Sequence, residues 1–352
     1  MLKKFFVAMI VAVLMLTSQI VSAAEVDWSK APRFDNKADF VRYVEEGRRR
    51  GRITFAVVLT NPSILPNAWN TRTINKQDFA DMVPCVDFRL LYGWVDDSGM
   101  KIHFRITEYP GTRVANAYLR GNTDYLTSDE LQLYNKAVEI VNEAKKRPSI
   151  FAQEYYIHDE ICRRTTYEGD KNTAIGALVY GKADCDGYAD AFYMLCRMMG
   201  WNVGRVFGKS GNVNHAWNYI DFGDGKVYCV DVQADDECFN FGDYGKANGY
   251  LYFNAPEEII AVNHTWDREL LPNLQRTIDN RYSYRLLSDH AYVSSPQEGW
   301  NLIAEKLSNA GNGTLFYVMA PLSENRGNYS GRRIVHYTQT FGNYFIITAA
   351  TL

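Results

Sequence analysis

Three short runs limit what this chain can fold into. They are Gly181-Lys182-Ala183-Asp184-Cys185-Asp186-Gly187-Tyr188-Ala189-Asp190-Ala191-Phe192, then Asn214-His215-Ala216-Trp217, then Val230-Asp231-Val232. The first reads as a helix opening on a cysteine, and the others as successive strands carrying a histidine and an aspartate. A thiol nucleophile, a base and a group that orients the base come in this order and chemistry. Taken singly, each residue has a plain structural explanation: a packed cysteine, a hydrogen-bonded core histidine, a turn-capping aspartate. Their conjunction in these settings points to acyl transfer.

A thiol attacks as its thiolate, and a helix N-terminus beside an imidazolium favours that form. Cys185 is placed for both effects, with Asp184 as the expected helix cap. Its backbone N–H falls among the unpaired first-turn donors and supplies half of an oxyanion hole. Asp186 would oppose thiol ionisation and is expected to point to solvent. Ala183, Gly187 and Ala189 are small enough for a substrate backbone to approach.

The two strands are joined by Asp221-Phe222-Gly223-Asp224-Gly225, a turn-rich segment. A hairpin centred on Gly223 would make His215 and Asp231 direct cross-strand neighbours, Cβ atoms about 4.5–5.5 Å apart. Asp231 interrupts an otherwise apolar strand, so its carboxylate needs a partner. His215 is the expected one.

The first residues carry a different message. Lys3 and Lys4 precede an apolar run from Phe5 to Leu16, and Val21-Ser22-Ala23-Ala24 offers small residues for cleavage. This is the pattern of a secretory signal peptide cut near Ala23 or Ala24. The apolar run is shorter than the roughly 20 residues of a spanning helix, and no second long one follows. A secreted or cell-envelope protein with no membrane span in the mature chain is expected. Losing Lys3 and Lys4 takes the formal charge from −3 to −5, which leaves no basic field for nucleic acid. No phosphate-cradling glycine loop or basic-aromatic array is found, and the expected partner is a protein or peptide substrate, with cell-wall peptide as one class.

The six cysteines, Cys85, Cys162, Cys185, Cys196, Cys229 and Cys238, show no CxxC spacing. Export permits disulfides, yet the closeness of Cys229 and Cys238 is weak grounds for a bridge. Cys162 and Cys196 read as small hydrophobes. His103, His158, His264, His290 and His336 are scattered without metal-ligand spacing, so neither a metal nor another cofactor is expected. Arg48-Arg49-Arg50-Gly51-Arg52 reads as a solvated helix end.

Along the chain, residues 1–24 are the leader and 25–130 an N-terminal helix-plus-sheet unit. Residues 131–290 hold the three motifs, and 291–352 form a second helix-plus-sheet unit. The terminal units echo each other at an offset of 260 residues: Phe40 matches Trp300, Gly51 matches Gly311, and Thr54 matches Thr314. Within the middle, a helix over Ile150–Cys162 is expected. The helix from Asp184 or Cys185 should bury Tyr188, Phe192, Leu195, Cys196 and Met199. Strands are expected at Trp201–Phe207, Asn214–Ile220, Lys226–Val232 and Tyr250–Phe253.

The three runs, together with Ile157-His158-Asp159, Thr166-Tyr167, Tyr252-Phe253 and His264-Thr265-Trp266-Asp267, resemble the motifs of the bacterial transglutaminase-like superfamily over about residues 150 to 270. The resemblance implies an α+β fold with a papain-like transglutaminase core, flanked here by the two small α/β units. It implies Cys185 as nucleophile, His215 as acid/base and Asp231 as orienter. Papain-like enzymes usually supply a second oxyanion donor from a glutamine just before the cysteine. Leu178 to Asp184 contains none, so Tyr180 or another backbone donor would stand in. The activity implied is an exported cysteine peptidase or amidase, with protein crosslinking and a non-catalytic envelope scaffold as alternatives.

Overall fold

The computed structural model describes residues 26–351, apart from 72–73, 75–78, 80–81, 84, 86, 237–238, 241–245, 272, 279–281, 283–289 and 312–313. The expected leader with its cleavage point, and Cys238, lie outside the described residues. Two compact units result, Met1–Thr107 and Glu108–Leu352.

The first unit comprises β1 (Arg33–Phe34), α1 (Lys37–Arg49), β2 (Thr54–Leu59), α2 (Pro66–Thr71), β3 (Asp87–Asp96) and β4 (Gly99–Thr107). Asn36 starts α1 by accepting the Asp39 N–H at 2.9 Å, a standard way to satisfy a first-turn donor. Phe40 and Val44 on α1 cluster with Phe55, Val57 and Leu59 of β2 and with Met100, Ile102 and Phe104 of β4. The alternate residues of a strand share a face, so one side of the sheet is buried. The sheet order is β1-β2-β4-β3, with β1 and β2 parallel and the other pairs antiparallel.

The second unit begins with α3 (Pro110–Arg120), ahead of the expected boundary near 130, and continues with α4 (Ser128–Ala144) and α5 (Ile150–Arg164). Next come β5 (Thr166–Tyr167) and β6 (Lys182–Ala183), paired in parallel, with a π-helix over Gly176–Tyr180 between them. The helix α6 (Cys185–Met198) follows, then β7 (Asn202–Ser210), β8 (Val213–Asp221), β9 (Val227–Val230) and the short α7 (Val232–Asp235). Beyond the small pair β10 (Phe239–Asn240) and β11 (Lys246–Ala247) lie α8 (Glu257–Ile260) and β12 (His264–Trp266). The sheet β12-β7-β8-β9 carries α6 on one face. Tyr188 through Cys196 are all buried, so α6 is a central helix apolar nearly all round rather than the one-sided helix expected.

The chain ends with β13 (His290–Tyr292), α9 (Pro296–Leu307), β14 (Leu315–Pro321), β15 (Ile334–Phe341) and β16 (Tyr344–Thr351). The sheet order is β13-β14-β16-β15, with β13 and β14 parallel and the rest antiparallel. Apart from α2, element order, strand order and strand directions repeat those of the first unit, which coincides with the echo at 260 residues. Phe316, Val318, Phe345 and Ile347 pack with Trp300, Ile303 and Leu307 under α9. Tyr317, Met319, Tyr344 and Ile346, on the other face, belong to the core that also holds α6 and β8. Being covered on both sides explains why β16 is apolar without alternation.

Candidate active site

Asp184 caps α6, its side chain accepting the Gly187 N–H at 3.1 Å, and Cys185 is the first helical residue. Cys185 is half-buried, while Cys162, Cys196 and Cys229 are buried free thiols. Burial raises the pKa of those three above the ordinary thiol range, Cys229 to about 12, where a thiolate is scarce. The small residues around Cys185 serve a purpose other than the one expected. A Cβ on Gly187 would lie 2.6 Å from the Lys171 carbonyl oxygen and 2.7 Å from Ala183 Cβ. Gly187 thus lets the chain's own backbone close over the start of α6, and Ala183 and Ala189 are buried.

Asp186 also departs from expectation. It is half-buried rather than solvent-facing, and its Oδ1 has no hydrogen-bond partner among the described residues. Burial first, and then the Asp184 charge, push its pKa up to about 6, against the pull of Arg205 and His215. At pH 8 it is ionised beside the thiol. Asp186→Asn should therefore speed alkylation of Cys185 at that pH about fivefold, the effect of ~1 kcal/mol between close unit charges in a water-like medium. Equal iodoacetamide rates in the two proteins would contradict that role.

His215 and Asp231 meet, but not through the register expected. The β8–β9 pairs are Asn218↔Val230, Tyr219↔Cys229, Ile220↔Tyr228 and Asp221↔Val227, so the hairpin is centred on Asp224. Two Asx turns set that centre. Asp221 Oδ1 accepts the Gly223 N–H at 2.7 Å, and Asp224 Oδ1 accepts the Lys226 N–H at 3.0 Å. Gly223 (φ 87°) and Gly225 (φ 79°) take the left-handed conformations between them. Asp231 therefore lies just past β9 and on the diagonal from His215. It caps α7, its Oδ1 accepting the Ala234 N–H at 3.1 Å. Its Oδ2 accepts the His215 Nε2 proton at 2.7 Å.

Burial alone would neutralise His215, but the Asp231 charge and hydrogen bond outweigh it, helped by a hydrogen bond to Cys185, and its pKa is pushed up to about 10. Burial likewise opposes ionisation of Asp231, yet His215 and then His264 hold its carboxyl well below the usual range. One interaction is seen here from both sides: a buried carboxylate paired with an imidazolium, with the thiol at hydrogen-bonding reach of the same ring.

Sequence spacing had no means of bringing in His264. It is buried, and its Nε2 donates to the same Asp231 Oδ2 at 3.1 Å. Ligand atoms of His215, Asp231 and His264 lie within 4.8 Å of one another, a donor set that suits zinc. In the structure these atoms bond to one another, both imidazoles meeting Asp231 Oδ2.

A second buried imidazole sits behind the site. His158 Nδ1 donates to Asp159 Oδ1 at 2.9 Å, and its Nε2 lies 3.5 Å from Asp235 Oδ2 at the end of α7. Tyr250–Phe253, expected as a strand, is a turn ahead of Asn254 (φ 55°). Its backbone serves α7: the Asp231 N–H donates to the Tyr252 carbonyl at 3.2 Å, and the Tyr252 N–H donates to Asp235 Oδ1 at 3.1 Å. Tyr180 is 59% exposed and its hydroxyl donates to Asp129 Oδ2 at 3.2 Å, which commits it to α4. Tyr167 pairs with Ala183 on β6. It is 58% exposed, and its pKa is raised by partial burial and then by the charges of Cys185 and Asp184.

Residues 135–232 match the transglutaminase-like superfamily. No curated protein matches the chain. Solved structures similar to it include a TGase, at 12% identity and a TM-score of 0.28, covering 51% of this chain and 50% of that one. Another is a candidate cysteine protease from Cytophaga hutchinsonii, at 15% identity and a TM-score of 0.25, covering 46% and 68%. A candidate protease from Parabacteroides distasonis shares 6% identity at a TM-score of 0.25, covering 73% and 55%. The chain thus spans about half the length of the TGase it is similar to.

Proposed function

We propose, on the premise that residues 135–232 form a transglutaminase-like domain, that this is an exported cysteine-dependent enzyme hydrolysing peptide or side-chain amide bonds. Cys185 attacks the amide carbonyl and the amine leaves with a proton from His215. Water, activated by the then neutral His215, resolves the thioester at Cys185. Asp231 holds the imidazole in place throughout. The observation that carries this reading is the single His215 ring that bonds Asp231 at 2.7 Å and also bonds Cys185. Oxyanion stabilisation would come from the first-turn N–H of Cys185, with the Tyr167 phenol as the second donor.

Hydrolysis is preferred because water needs no second binding site. Among the described residues no helix is long and apolar enough to cross a membrane, and export rests on the leader pattern of residues 1–24. The two terminal modules, alike in topology, would hold the enzyme to an envelope partner or restrict access to its cleft. The test is a screen of the mature protein on peptide and glutamine-side-chain amides, with and without a primary amine. Ammonia or peptide release that needs no added amine and vanishes in Cys185→Ala supports hydrolysis. Amine incorporation as the main product makes the protein a crosslinking enzyme, and no turnover on any amide argues for a scaffold.

A further inference from the structure

We propose that His264 is a positioning residue for the site, holding Asp231 by the same oxygen that His215 bonds and so keeping His215 able to release its proton. The inference rests on the catalytic reading of His215 and Asp231, and it extends that reading to a histidine 33 residues away.

The carboxylate of Asp231 is fully enclosed, and a buried charge needs each lone pair engaged. The Ala234 N–H holds Oδ1, while Oδ2 is shared by His215 at 2.7 Å and His264 at 3.1 Å. The two imidazoles differ in freedom. His215 must change protonation as the amine leaves, and the positive charge beside Asp231 goes with that proton while the Nε2–H bond stays. His264 is held in place. Its Nδ1 lies 2.7 Å from Asn263 Oδ1, which also accepts the Tyr252 hydroxyl at 3.0 Å. Its ring is wedged edge-on against Trp217 and Tyr252, at 4.9 and 5.0 Å between centroids.

The support reaches further out. β12 lies tight on β7 because Gly208 has no side chain: a Cβ there would sit 2.1 Å from the Thr265 carbonyl oxygen. Phe341, where β15 turns into β16, packs edge-on against Tyr252 at 6.0 Å. The terminal sheet thereby braces the ring that braces His264. The ionisable groups around the pair are Cys185 and Asp186 on α6, Cys229 on β9, Asp235 on α7, Asp231 itself, and His264 on β12. Among these, His264 is the only donor to Asp231 besides His215. By sharing Oδ2 it draws off part of the charge that would otherwise lock the proton on His215.

The test compares His264→Phe, which keeps an aromatic ring between Trp217 and Tyr252, with His264→Gln, whose amide restores a donor. The His215 ring is titrated by nitrogen-detected NMR in the full chain, its signals assigned with His215→Ala. Loss of the His264 donor should move the His215 titration upward by roughly 0.5–1 pH unit in the phenylalanine variant, and the glutamine variant should return towards wild type. On an amide substrate, kcat should fall about 100-fold in His264→Phe with KM little changed, as for a small misplacement of a catalytic group. An unmoved titration in His264→Phe, or an equal shift in both variants, overturns the proposal. Cys185 that stays inert to alkylation while the His215 titration still responds to His264 would leave this inference standing and remove the enzymatic one.

Discussion

Asp231→Asn should leave a folded protein with turnover reduced by about 10⁴-fold, the loss that follows when a triad imidazole is left with the wrong tautomer and no charge partner. The fold survives for a local reason. Asparagine caps a helix as well as aspartate does, so α7 keeps its Oδ1 bond to Ala234. The charge does not survive, and the consequence can be read in stability against pH. His215 has a folded pKa raised above its ordinary 6.5 to about 10. Its contribution is therefore fully present below pH 6.5 and is lost as pH rises towards 10. Asp231, held below its ordinary 3.8, contributes above that pH and loses its contribution in acid. Asp231→Asn should flatten both limbs of the melting-temperature profile. A variant with more than a tenth of wild-type turnover would show that the orienting carboxylate lies elsewhere.

Asp190→Ala should destabilise the second unit by ~3–5 kcal/mol, because it strands a buried charge. Asp190 is fully buried on α6, five residues beyond Cys185, and pairs with Arg205 of β7, whose side chain is 3% exposed. It also accepts the Gly111 N–H at 3.1 Å and the Ala174 N–H at 2.9 Å. Arg205 is packed over Tyr193 at 3.8 Å and Tyr109 at 4.7 Å, and reaches Thr112 Oγ1 at 3.2 Å. One carboxylate thus ties α3, the loop before the π-helix, and β7 to the nucleophile helix. In urea unfolding, Asp190→Ala should lose most of the stability of this unit, and Asp190→Ala/Arg205→Met should recover part of it, since the stranded guanidinium is then gone. A loss under 1 kcal/mol in the single variant would mean that the pair is replaceable by water.

The α+β class and the meeting of Cys185, His215 and Asp231 were legible because each rests on a local signal. These were a capped helix start, a turn-rich loop and a charged residue in an apolar strand. The hairpin was misplaced by one residue because two glycines can each centre a turn, and the choice is made by the side chains of Asp221 and Asp224. An error of one residue in the centre moves the partner by two, so Asp231 kept its face and still reached His215. Asp186 was misread because burial of its side chain depends on what closes over the start of α6. His264 and Asp190 stand in the quoted motif runs, but sequence reasoning assigned neither a role. Their partners, Asp231 and Arg205, are distant in sequence, and nothing in the spacing of histidines or acids reports that convergence. Where a strand was expected at Tyr250–Phe253, apolar composition gave the wrong answer, since that segment serves the cap of α7.

The most direct test of the account is low-dose iodoacetamide on the folded protein near neutral pH, with the modified peptides mapped over time in wild type and in His215→Ala. The account predicts that Cys185 is the first of the six cysteines to be labelled, and that its rate falls sharply once His215 is removed. Earlier labelling of Cys85 or Cys238 while Cys185 stays unmodified, or a Cys185 rate indifferent to His215, would contradict it.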